Sequence, residues 1–305
     1  MILSLLLSSF LTFVELNCEN LFDFRHDEGK EDVEFTPEGT RRWTRTRYWR
    51  KLNAIGQEIL SCSSELPDLV ALVEVENDSV LLDLTRRSLL RGADYDYLMT
   101  QSPDVRGIDV ALLYQRARFR PVCYDYLSVD PIKDMRPTRD ILYVEGETAR
   151  GDTLHVFVIH APSRSGGEPE TRPHRRRVMT VLMDALRHLS GKNVIVAGDF
   201  NDYSDSPSLR LLTNVEMINV TDSARGLNGK ATGTYRYRGE WKSIDHVLVS
   251  TSLQRSVLRT FVNDAPFLLE SEPVYGGWKP RRVYHGYRYQ RGFSDHLPLV
   301  VQFCW

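Results

Sequence analysis

"VIVAGDFND", residues 194–202, is a short apolar run that stops at Gly198 and then presents Asp199, Asn201 and Asp202. Apolar residues rich in β-branching and bounded by a glycine read as a buried strand. A buried strand must satisfy every polar group it carries, because an unpaired carboxylate there is destabilising or gives up its charge. The two acids and the amide therefore stand at a solvated loop mouth or face a cation. The rest of the chain decides which.

Similar short runs recur at 11–16, 69–73, 109–114, 140–144, 154–159, 193–197, 244–249 and 297–303. Each is bounded by Gly, Pro, Asp or Ser, as strands buried on at least one face should be. Helical spacing appears between some of them. Tyr48, Leu52, Ile55 and Ile59 share one face behind Thr44 as N-cap, and Val178, Val181, Leu182, Ala185 and Leu189 share another over 174–189. Asp78 is placed to cap a helix over 79–90, and Ser206-Pro207 opens a short one. The order is strand–helix–strand, several strands, strand–helix–strand, then strands again. That predicts mixed sheets packed face to face with helices outside. With no repeat and no long linker, residues 11–305 read as one domain. The stretch 263–292, with five aromatic residues among arginines, reads as a structured surface loop.

The chain has 39 Lys plus Arg against 41 Asp plus Glu, so its net charge of −2 gives no global attraction to nucleic acid or acidic lipid. The basic residues are nevertheless clustered at 41–51, 172–177 and 279–291, which leaves room for a local phosphate-handling surface. Cys18, Cys62, Cys123 and Cys304 lack metal-ligand spacing and read as free, mostly buried thiols. The apolar run "ILSLLLSSFLTF" (2–13) is too short to span a bilayer and has no basic residue before it. Residues 1–10 read either as a residual leader or as an extension of the first strand, and export is slightly favoured over a cytoplasmic location. No transmembrane anchor or obligate protein partner is evident, and a monomer is expected.

Polar residues gather where the runs break. Asn17, then Glu19 and Asn20, end the first; Glu74 and Glu76 end "PDLVALVEVEN"; His160 ends "LHVFVIHAPS". Asp199 and Asn201 end "VIVAGDFND", Asp245 and His246 lie in "SIDHVLVS", and Asp295 and His296 open the last run. Singly these are turn formers or ordinary histidines. Together, and in this order, "PDLVALVEV", "IHAPS", "GDFN", "IDHVLVS" and "SDHLPL" resemble the endonuclease/exonuclease/phosphatase superfamily over nearly the whole chain.

The resemblance implies an α+β fold, a four-layer α/β/β/α sandwich of two mixed β-sheets with outer helices. It also implies a phosphodiesterase of nuclease type that hydrolyses a P–O bond by in-line attack of water. The expected cofactor is Mg²⁺, with Mn²⁺ or Ca²⁺ as alternatives, because hard carboxylate and amide oxygens suit it. Glu74 is the expected main metal ligand, with Asn17 beside it and Asp295 completing the site. Asp199 and Asn201 are expected to orient the attacking water or hold phosphate oxygens. His296, oriented by Asp245, would serve as general base or as an imidazolium beside the phosphate. His160 would be a second acid/base partner, Asp109 its support, and Arg139 and Arg164 phosphate contacts. His246, one residue past Asp245, should face the other way and be structural.

The substrate is not fixed by these motifs. "GDFNDYSDSP" and "GEWKSIDHVL" depart from the inositol polyphosphate 5-phosphatase pattern, which has an Arg soon after GDxN and a PAWxDR motif. A phosphohydrolase acting on a phospholipid head group or small phosphate ester is the second reading, and a catalytically inactive binding protein the third. The full set of motif residues disfavours the third.

Overall fold

The computed structural model describes residues 10–304. The expected leader, residues 1–10, lies outside these except for Phe10, the first residue of a strand. In chain order the first strands are β1 (Phe10–Leu21), β2 (Leu69–Val75), β3 (Tyr95–Met99), β4 (Asp109–Gln115), β5 (Phe119–Leu127) and β6 (Ile141–Thr148). Next come β7 (Thr153–His160), β8 (Val194–Asp199), β9 (Met217–Asn219), β10 (Tyr235–Tyr237), β11 (Glu240–Lys242) and β12 (Asp245–Ser250). The last are β13 (Val257–Val262), β14 (Leu269–Ser271), β15 (Trp278–Pro280), β16 (Tyr284–His285), β17 (Arg288–Tyr289) and β18 (Leu299–Cys304). The main helices are α1 (Arg45–Leu60), α2 (Asp78–Arg86), α3 (Glu168–Leu186) and α4 (Pro207–Thr213).

Two six-stranded sheets form the centre, in the orders β13-β18-β1-β2-β4-β3 and β5-β6-β7-β8-β12-β9. Both are mixed: β1 runs parallel to β2 and β7 parallel to β8, while the other pairs are antiparallel. Alternation along the strands builds three cores. Phe13, Val73, Leu112, Val156, Ala197 and Val301 fill the space between the sheets. Val14, Leu16, Val70 and Leu72 turn the other way, onto α1 and α2. Phe157, Ile159 and Val196 meet α3. The expected four-layer sandwich is the observed one.

The helix starts follow their caps. Thr44 accepts from the Arg47 amide and buries Tyr48, Leu52, Ile55 and Ile59. Ser206 accepts from the Leu209 amide ahead of Pro207. The second cap differs from expectation: Asn77, not Asp78, receives the Val80 amide, and Asp78 is the first helical residue. That helix ends at Arg86, because Ser88 accepts from the Leu90 amide and starts a separate 3₁₀ turn over Leu89–Gly92. Helix α3 begins at Glu168, before the expected 174, and carries Pro173 within it.

The 263–292 stretch is structured, as expected, by the small pairs β14–β15 and β16–β17. Its tyrosines pack on the first basic cluster: the Arg41 guanidinium lies over Tyr284 and Tyr287, and that of Arg47 over Tyr289. All four cysteines are free, Cys18 and Cys62 buried, Cys123 and Cys304 exposed. Among the described residues no helix is long and apolar enough to cross a membrane.

Candidate active site

Gly198 explains the break in the opening run. Its φ is 144°, and a Cβ there would stand 1.9 Å from the Ile159 carbonyl oxygen on neighbouring β7. Glycine alone lets β8 close against β7 at this point and carry Asp199 to the mouth between the sheets. There Asp199 is paired in register with His160 on one side and with Asp245 on the other.

Glu74 reaches the same mouth by a different device. Val73 faces the inter-sheet core and Val75 the helix side, so one residue between them breaks the alternation. That residue is Glu74, with φ 63° at a register shift between β2 and β4. The bulge re-aims its side chain. Its Oε1 then lies 3.8 Å from His160 Nε2 on the opposite sheet, and its Oε2 accepts from the Asn20 amide at 2.8 Å.

Around these two acids the expected residues converge. Asn17 donates Nδ2–H to Asp199 Oδ2 at 3.1 Å, and Asp199 Oδ1 accepts from the Asn201 amide at 2.8 Å. Asn201, itself at φ 48°, donates its side-chain amide to the Ala161 carbonyl at 3.0 Å. His160 Nε2 is 3.8 Å from Asp199 Oδ2. His296 holds Nδ1 against both Asp245 oxygens, at 2.9 and 2.8 Å, and the Thr234 hydroxyl donates to the same carboxylate. Ligand atoms of Asp199, Asp245 and His296 lie within 4.8 Å of one another.

The electrostatics separate the two histidines. Burial alone would lower the pKa of His296, but the charge and hydrogen bond of Asp245, with Asp295 and Asp199, outweigh it and raise the ring well above its usual value. His160 is shifted the other way, well below, by burial and then by the Arg139 guanidinium. Arg139 donates Nε–H to Nδ1 at 3.1 Å and brings Nη2 to 2.7 Å from both ring nitrogens. An arginine only donates, so the neutral ring accepts from the guanidinium that packs against it. Asp199 is pushed up to about 7, by burial first and then by the Asp245 charge, against the pull of His296.

Four expected placements turn out differently. Arg139 is buried behind His160, with Nη1 held by Asp104 at 3.2 Å, so it backs the histidine instead of lying on the open face. Asp109 does not support His160: its carboxylate accepts from Thr100 at 2.6 Å and from the Ser102 amide at 3.0 Å, fixing that turn. Arg164 pairs with Asp202 at 2.9 Å and stacks on Tyr203, so its guanidinium is already committed. Asp295 pairs with Arg282 at 3.0 Å, beside Glu19. It enters no close acidic group with Glu74. His246 faces away, as expected, between Asn219 and the Asp202 carbonyl.

Several residues of the site carried no signal in the sequence. Arg106 brings Nη2 to 3.9 Å from Glu74 and Nη1 to 3.4 Å from Asn20. The Ser294 hydroxyl donates to the Asn17 carbonyl at 2.6 Å and accepts from the His296 amide, tying β1 to the last motif. Tyr235 packs its ring against His296, with centroids 4.9 Å apart. Glu15, two residues before Asn17 on the same face, is buried with neither carboxylate oxygen partnered. Burial and the charges of Asp245 and Asp199 raise its pKa well above the usual range. Only Ser294 lay within a recognised motif.

This geometry meets the comparisons with known proteins. The model of the Endonuclease/Exonuclease/phosphatase family matches residues 12–304. The chain belongs to the endonuclease/exonuclease/phosphatase family, whose members are hydrolases of phosphoester bonds. Its fold is shared by a solved family protein from Bacteroides thetaiotaomicron (TM-score 0.65, 16% identity, covering 97% of this chain and 98% of that one). It is shared also by the Bacteroides thetaiotaomicron mannosyl-6-phosphatase Bt3783 (TM-score 0.61, 16% identity, 97% and 100%). A third is D. rerio TDP2 complexed with a single-strand DNA product (TM-score 0.56, 16% identity, 97% and 100%). No curated protein matches the chain in sequence.

Proposed function

We propose that this protein is a Mg²⁺-dependent phosphodiesterase that hydrolyses a P–O bond by in-line attack of water. The observation that carries the reading is the meeting of Asn17, Glu74, His160, Asp199, Asp245 and His296, from six strands or their ends, at one mouth. Together they set a buried acid with a raised pKa between a cationic and a neutral histidine. A divalent cation fits the residues present. Glu74, Asn17, Asp199 and Asp245 offer hard oxygens, and the acids crowd together so that burial and the Asp245 charge oppose ionisation of Asp199, a cost that a bound cation would offset. Glu74 and Asn17 would hold the ion, with Asp295 at the margin. When bound, it would neutralise the phosphate charge.

The chain's own residues supply the rest. Asp199, titrating near neutrality and held by Asn17 and the Asn201 amide, is placed to take the proton of the attacking water. His296, kept cationic by Asp245, is placed to face the charge that builds on the phosphoryl oxygens. His160 brings a neutral ring, with Nε2 3.8 Å from both Glu74 and Asp199, to the other side of the acid. Burial and the Arg139 guanidinium favour the neutral form of His160, which suits a partner that polarises a substrate oxygen better than a cationic acid.

Among substrates the diester of a nucleic acid leads, with a lipid head group or small ester as the second reading. TDP2 was solved with single-strand DNA product and Bt3783 is a mannosyl-6-phosphatase, so the fold supports both. The protein is read as a monomer. Hydrolysis of a chromogenic phosphodiester and of its monoester analogue, each with excess Mg²⁺ and with chelator, tests the proposal. Metal-dependent diester cleavage is expected. Cleavage of the monoester alone favours the second reading, and full activity in chelator contradicts both.

A further inference from the structure

The loop between β1 and α1 folds back on the end of β2 and brings Asp27 and Asp32 against Glu76. One carboxylate oxygen from each lies within 4.8 Å of the other two. Asp32 and Glu76 are buried and Asp27 stands at the solvent rim. The bulge that turns Glu74 to the mouth between the sheets parts it from Glu76, which enters this loop instead. Glu76 is only 5% exposed, yet its Oε1 has no hydrogen-bond partner. The other oxygens have positions set for them. Glu76 Oε2 accepts from the Asp23 amide at 2.6 Å and Asp32 Oδ2 from the Asp27 amide at 2.8 Å. Asp32 Oδ1 meets His26 Nδ1, and Asn77 Nδ2 lies 3.5 Å from Asp27 Oδ2.

Three carboxylates thus face one another with a single histidine beside them. Among the described residues no Lys or Arg forms an ion pair with Asp27, Asp32 or Glu76. A buried carboxylate oxygen without a donor is destabilising unless a cation accepts it. Three hard oxygen donors on an irregular loop, one side open to water, match the many-oxygen, loosely prescribed shell of Ca²⁺. They suit the strict octahedron of Mg²⁺ less well.

We infer that Asp27, Asp32 and Glu76 form a calcium site, distinct from the hydrolytic centre, which ties the β1–α1 loop to the end of β2. The site would steady the backbone on which Asn20 and Glu74 stand without touching substrate.

Calorimetric titration of the full chain with CaCl₂ in excess Mg²⁺ tests this, and it needs no enzymatic activity, so its failure is separable from failure of the proposed function. The wild-type chain and Glu74→Gln are expected to bind one Ca²⁺ alike, while Glu76→Gln and Asp27→Asn bind it at least tenfold more weakly. Asp27 is exposed, so Asp27→Asn keeps the test decisive if Glu76→Gln does not fold by circular dichroism. Absence of Ca²⁺ binding by the wild type would overturn the inference. So would unchanged binding in Asp27→Asn, or binding lost only in Glu74→Gln.

Discussion

In the proposed mechanism Asp199 and the two histidines carry the chemistry, and each sits in a different environment. A buried acid whose pKa is raised to about 7 holds its proton more tightly folded than unfolded. Its contribution is therefore present at low pH and is lost as pH rises from the ordinary carboxylate range through about 7. His296, also raised, has the same sign at higher pH. The metal-free protein should accordingly melt at lower temperature at pH 8 than at pH 5, with a shallower dependence in Asp199→Asn. Thermal denaturation across that range in chelator checks it. At His160 the prediction concerns Arg139. Replacing it with Ala removes the nearest positive charge, so the His160 pKa should rise toward the ordinary histidine value, read by NMR titration of the ring protons. Diester turnover should fall about tenfold or more as the ring loses the guanidinium that holds it in place. An unmoved His160 pKa would show that Arg139 does not set it.

At the scale of elements, two backbone devices position the site: the glycine at 198 and the bulge at 74. The Cβ of Gly198→Ala would collide with the Ile159 carbonyl in a left-handed backbone. The substitution should cost ~3 kcal/mol or more of unfolding free energy, measured by urea denaturation. A loss below about 0.5 kcal/mol would mean that the strand pair relaxes easily. These devices also mark how far the sequence could be read. Central strands β1, β2, β4, β6, β7, β8, β12 and β18 stood out as apolar runs because both faces are covered. The edge strands β3, β5, β9 and β13 gave no such runs. In β5 the pattern is almost wholly exposed, and in β13 only Phe261 and Val262 are buried. A strand with one open edge and a wet face has no continuous apolar signature. The bulge was equally hidden, since alternation puts Glu74 and Glu76 on one face and the φ of 63° and the register shift that part them are features of the fold.

Across the whole molecule, the two sheets hold the site by packing against each other. Leu112 is fully buried between them. Leu112→Ala should therefore cost about 2–5 kcal/mol of stability. It should leave turnover per folded molecule near wild type at low temperature, which denaturant melts beside active-site titration would check. The strand-end acids and histidines were legible because polar residues interrupting apolar runs have few structural excuses. Arg106, Arg282, Thr234 and Glu15 were not. Arginines in loops and a carboxylate inside an apolar strand acquire meaning only when the other sheet is in place.

In the proposed hydrolytic centre the Asp245-held imidazolium of His296 stabilises the reacting phosphate. The most direct measurement is turnover of a chromogenic phosphodiester at saturating Mg²⁺ by the wild-type chain and by His296→Ala, with circular dichroism confirming the fold. A loss of about three orders of magnitude in turnover, with the fold intact, is the predicted result. Undiminished turnover in His296→Ala would contradict the account.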